Sequence, residues 1–133
     1  GRWSAEGFNE VVALLRRQRT ATAAPVLVFA PLYSRPGVYS LMLAARRDPG
    51  LVIVPVDLGS HVPRAIGAIR NVVQRARTEL GPHLSVFILL EGLRSDEAST
   101  LRAGGLLCHA VVDHRNVDGV SGFALLECDA GNL

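Results

Sequence analysis

LSVFILL, residues 84–90, ending at Glu91-Gly92, is the stretch that decides the fold. It is of strand length, nearly all apolar, and does not alternate with polar residues. Such a run belongs in the middle of a sheet covered on both faces. VLVFA, residues 26–30, reads the same way, and LVIVPVDL, residues 51–58, is a third strand. Pro55 interrupts that third run. Without an N–H it predicts an edge position or an irregularity near the strand's end.

Amphipathic segments separate these strands. The first helix opens at Ser4, a capping residue, with Trp3 and Phe8 placed to form a hydrophobic staple. Phe8, Val11, Val12 and Leu15 follow at helical spacing. Arg16, Arg17 and Arg19 fall in its last turn, where cations suit the helix dipole, and residues 20–25 read as a linker. Residues 37–47 form a second helix, stopped by Asp48-Pro49-Gly50. Pro63 suits the first turn of a long third helix. Its stripe is Val62, Ile66, Ile69, Val73, Ala76 and Leu80, and Gly81-Pro82 ends it. Ser95 caps a short helix over 96–103, closed by Gly104-Gly105. Residues 106–115 and 120–128 are strands around Asn116-Val117-Asp118-Gly119, and the Asp-Gly pair signals a hairpin.

The order αβαβαβαββ predicts an α/β domain. The expected form is a three-layer αβα arrangement with a mostly parallel sheet, right-handed crossovers and an antiparallel β-hairpin at one edge. A chain of 133 residues, 49% hydrophobic and 20% charged, is expected to fold as one domain with a real core. That composition argues against disorder. No apolar run approaches the roughly 18 residues of a membrane span, and no signal-peptide pattern is visible. The initial Gly is what a processed, tagged or excised chain would show. A cytoplasmic, membrane-free protein is the expectation.

All 14 basic residues are arginine. Their spread over several segments fits an arginine-favouring gene composition better than a dedicated anion site. Residues 1–80 carry +6 and residues 81–133 carry −4. That asymmetry could steer one copy onto another, although in a compact domain the two halves can mix on one surface. An unpaired sheet edge is a second route to self-association. Cys108 and Cys128 lie on the two hairpin strands and could face each other. With no other sign of an oxidising compartment, buried free thiols are expected.

Open α/β sheets bind ligands beyond the carboxyl ends of their strands. Three loops qualify here: residues 31–40, 57–61 and 91–96. The first reads PLYSRPGVYS. Gly37 and Ser40 are of the kind a phosphate loop uses, but their spacing is wrong, there is no Lys, and Pro31 and Pro36 remove amide donors. An anion at the helix start could still meet Ser34, Gly37, Ser40 and Arg35. Asp57 and Glu91, read as ending neighbouring strands, are the candidate acid, base or Mg²⁺ pair, with His61 as a candidate base. Capping and turn roles are the commoner fate of such residues. In the hairpin, alternation puts His109 and Asp113 on one face, and Cys108 and His114 on the other. No face then holds four zinc ligands, so no metal site and no cofactor are expected. There is no GxGxxG and no GxSxG. Arg16, Arg17, Arg19, Arg46 and Arg47 could meet phosphate backbones, but only 5% of residues are aromatic, too few for base stacking, so nucleic-acid binding is not expected.

Two readings of function remain. The first is a non-enzymatic protein-interaction or regulatory domain on a Rossmann-like scaffold. Its surfaces would be Tyr33 with Arg35, and the long helix with Arg64, Arg70 and Arg77. The layout resembles a P-loop or RecA-like domain whose nucleotide motifs are missing, as in the bacterial inhibitor that caps a tubulin-like division protein. The likeness is one of layout only. The second reading is a small-ligand or nucleotide-handling enzyme using Asp57, His61 and Glu91 at the strand-end rim. The thin furnishing of that rim favours binding over catalysis.

Overall fold

The computed structural model describes residues 5–31, 36–56, 62–91, 95–115 and 122–129. They form four helices and five strands: α1 (Ala5–Thr22), β1 (Val26–Ala30), α2 (Pro36–Arg47), β2 (Leu51–Pro55), α3 (Val62–Leu80), β3 (Ser85–Glu91), α4 (Ser95–Ala103), β4 (Leu107–Arg115) and β5 (Gly122–Asp129). Trp3, Ser4 and the hairpin turn at 116–119 lie outside the described residues.

The strands make one mixed sheet in the order β2-β1-β3-β5-β4. β1 pairs in parallel with both β2 and β3, and β5 pairs antiparallel with both β3 and β4. Four strands therefore point one way, and β5 alone runs against them, between β3 and β4. Pro55 sits where its missing N–H predicts, at the end of edge strand β2. β2 is shorter than the apolar run suggested. Val56 N–H still donates to the Ala30 carbonyl at 2.8 Å, just past the strand's end.

Alternation along the buried strands divides the core. Leu27 and Phe29 of β1 and Val86, Ile88 and Leu90 of β3 pack with Ala65, Ile66, Ile69 and Val73 of α3 and Leu101 of α4. Val26, Val28, Ala30, Phe87 and Leu89 pack instead with Val11 and Leu15 of α1 and Leu41 and Ala44 of α2. Of the α3 stripe, Ile66, Ile69, Val73 and Ala76 are buried as read from the sequence, Leu80 is exposed, and the Val62 side chain lies outside what is described.

The segment expected to be a linker from residue 20 is helical as far as Thr22, and the cause is tertiary. Arg19 donates from Nε and Nη2 to the two carboxylate oxygens of Asp48, at 2.8 and 3.0 Å. It also donates from Nη1 to the Ala24 carbonyl at 2.6 Å. Asp48 in turn accepts the Gly50 N–H at 3.0 Å. This cluster ties the end of α1 to the turn before β2. The Arg19 guanidinium is thereby engaged with Asp48 and the Ala24 carbonyl. The chain leaves the helix through Ala23, held at φ 53°, and Ala23 N–H closes on the Arg19 carbonyl. The hydrogen bonds from Arg19 and Gly50 hold the Asp48 carboxyl below its ordinary range. A carboxylate with a depressed folded-state pKa stabilises above the unfolded value and loses that contribution as pH falls through the folded one. Asp48→Asn is thus expected to cost about 1 kcal/mol at neutral pH, since the pair is partly open to water. The gap from wild type should shrink on acidification below about pH 4 in urea titrations.

Gly104 and Gly105 close α4, as expected, each for its own reason. A Cβ on Gly104 would lie 2.7 Å from Ile66 Cδ1, so the helix end sits directly on α3. Gly105 has φ +91°, and Leu106 N–H reaches back to the Leu101 carbonyl at 2.9 Å. This is the Schellman closure, with Leu101 and Leu106 both buried beneath it. Gly105→Ala is expected to cost about 1 kcal/mol, read as a lower urea midpoint.

Two expectations about the hairpin are corrected. The register slips between Ala110 and Val112, leaving Val111 as the extra residue of a bulge. Parity reverses beyond it, so Cys108 and Asp113 share one face and His109 and His114 the other. His114 lies against Phe123, ring centroids 5.2 Å apart, and its Nε2 sits 2.6 Å from Glu10 Oε2 of α1. The cysteines are not free thiols. Cys108 and Cys128 stand directly opposite each other, Cα atoms 4.0 Å apart, and are joined as a disulfide. Residue spacing did not reveal that register.

Candidate functional site

The carboxyl ends of β2, β1 and β3 lie side by side at one rim of the sheet. Much of what the sequence placed there falls outside the described residues: Tyr33, Ser34, Arg35, Asp57 and His61. Glu91 ends β3, paired with Phe123, while Gly37 and Ser40 lie in the first turns of α2. One point of geometry corrects the acid-pair expectation. β2 and β3 are not neighbours, because β1 separates them. The strands that lead to Asp57 and Glu91 are therefore two spacings apart, about 9.6 Å, rather than one.

Of the two surfaces read as partner-binding, the one with Tyr33 and Arg35 lies outside the described residues, whereas Arg64, Arg70 and Arg77 belong to α3, which packs on the opposite core cluster from α1 and α2. Arg64 and Arg70 are exposed, and Arg77 is half-buried. Arg64 and Arg77 already have interaction partners.

Sequence reasoning passed over the outer face of α2 itself. Leu41 and Ala44 turn inward and are buried. On the opposite side, Tyr39, Met42 and Leu43 are 64%, 51% and 37% exposed. They recur at i, i+3 and i+4, so they form one continuous stripe. Arg46 and Arg47, both exposed, extend that stripe by a turn. The signal was present in PGVYSLMLAARR, which has more large apolar residues than one buried stripe uses. What the sequence could not say is which of them the sheet covers.

A concavity lies on the opposite face, beside the disulfide. Its volume is about 400 Å³, and Ser99, Arg102, Ala103, Leu106 and Cys108 line it. Among the described residues, no group of three or more His, Cys, Asp or Glu is placed to hold a metal ion, and no helix is long and apolar enough to cross a membrane.

Comparison with family models, with curated proteins and with solved structures finds no match for this chain.

Proposed function

We propose that this chain is a non-enzymatic protein-binding domain, built on a three-layer Rossmann-like scaffold without nucleotide motifs, and that it docks its partner on the outer face of α2. The observation that carries this reading is the exposed stripe of Tyr39, Met42 and Leu43 continued by Arg46 and Arg47. Three large apolar side chains in contact with water are costly to leave uncovered, and clustered rather than scattered apolar exposure marks a docking surface. Aromatic, Met and Arg side chains are those that interfaces favour. The helix end contributes two guanidinium groups and, within α2, no acid. The matching partner is an amphipathic segment whose apolar anchors are followed by carboxylates.

A peptide library displayed on phage and selected on the purified chain tests this directly. The expected ligands carry apolar residues at helical spacing next to Asp or Glu. Met42→Asp should weaken the selected peptide at least tenfold, because it places a carboxylate where a buried anchor sits. Met42 is half exposed, so the variant keeps its fold. Peptides that bind Met42→Asp as well as wild type would overturn the reading. A thermal shift with MgATP or MgGTP would overturn its non-enzymatic half.

A further inference from the structure

We infer that the Cys108–Cys128 pair and the concavity beside it form a thiol–disulfide exchange site for a small anionic thiol. The site is independent of the α2 surface, being on the other face of the sheet.

Three observations converge on it. The two cysteines differ in exposure. Cys128, on inner strand β5, is 6% exposed, whereas Cys108 is half-buried on β4, the last strand of the sheet order. Cys108 also lines the concavity, whose other walls come from the end of α4 and the residue that closes it. At about 400 Å³ the space is of the size small-molecule pockets have. Arg102 and Ser99 supply its polar groups, and Ala103 and Leu106 its apolar ones. Arginine in the lining suits a carboxylate-bearing ligand. The wall that carries Arg102 is fixed, because the Schellman closure and the contact of Gly104 with Ile66 hold the end of α4 against the core.

The exchange has two steps. A thiolate of the small thiol attacks the Sγ of Cys108, the more exposed cysteine and the one that lines the concavity. A sulfur–sulfur bond forms to Cys108, the Cys108–Cys128 bond breaks, and the Cys128 sulfur leaves as a thiolate that takes a proton from water. A second thiolate attacks the small-thiol sulfur of the mixed disulfide and releases Cys108 as a thiolate. The protein pair gains two electrons, and two small thiols become one disulfide. The reverse sequence, begun by the Cys108 thiolate on a small disulfide, restores the bond.

The test compares two reductants on the intact protein. Glutathione is the anionic thiol and cysteamine the cationic one, with loss of the disulfide followed by mass spectrometry after acid quenching. In wild type, reduction by glutathione should be reversible with oxidised glutathione. Arg102→Gln should slow reduction by glutathione about fivefold and leave cysteamine unaffected, as loss of one exposed charge partner would. In Cys128→Ser, oxidised glutathione should form a mixed disulfide on Cys108, whereas Cys108→Ser should form far less on Cys128. Should either cysteine variant fail to fold, the comparison of wild type with Arg102→Gln decides alone, since Arg102 is exposed. A pair that glutathione does not reduce, equal slowing of both reductants, or an Arg102→Gln rate equal to wild type would overturn the inference.

Discussion

Replacing Phe87 by alanine is expected to remove about 3–5 kcal/mol of stability, the range for emptying a buried aromatic position. Phe87 is fully buried near the start of β3, opposite Val28 of β1 and Glu127 of β5. Its side chain belongs to the cluster that seats α1 and α2. Truncation therefore loses the transfer energy of the ring and leaves a cavity between two rigid layers that can collapse only partly. Domains of this size are typically stable by about 5–15 kcal/mol, so the variant should be folded but marginal. Urea denaturation should show a much lower midpoint with little change in slope. Phe87→Leu should recover most of the loss, because the residual cavity is small. A cost under about 1 kcal/mol for Phe87→Ala would mean the cluster is not packed as described.

Loss of the disulfide is expected to cost about 3 kcal/mol. The bond closes a loop with a sequence separation of 20, and cross-linking a chain of that length restricts the unfolded ensemble by about that amount. The native hairpin should survive, because β4 and β5 are paired along nearly their whole length. The double variant Cys108→Ala, Cys128→Ala should match the reduced wild type and ignore added reductant. Reduction should also steepen the urea dependence, since the freed unfolded chain exposes more surface. Equal midpoints for oxidised and reduced protein would show that the bond contributes nothing to folding.

The layout of the fold was legible because its signals are local. VLVFA is β1 to the residue. Gly104-Gly105 marked the end of α4, Pro55 marked an edge strand, and the hairpin that closes the sheet was read from Asp-Gly between two apolar runs. What escaped the sequence depends on distant partners. α1 runs past its arginines because Asp48, 29 residues on, holds Arg19. The faces of His109, Asp113 and His114 were misassigned because no residue type announces the bulge at Val111. The disulfide was missed because compartment was argued where register decides. At the rim, strand order alone separated the strands leading to Asp57 and Glu91. The α2 stripe was missed because VYSLML gives no sign of which side faces the sheet, and burial of Leu41 and Ala44 settles it.

The central claim, that the working surface is the outer face of α2 and not the strand-end rim, is tested most directly by NMR. The isotope-labelled protein would be titrated first with a selected acidic amphipathic peptide and then with MgATP. The expected result is amide shift changes at Tyr39, Met42, Leu43, Arg46 and Arg47 with the peptide, and none with the nucleotide. Amide shift changes centred on Ala30, Val56 and Glu91 when MgATP is added, with α2 silent toward the peptide, would contradict it.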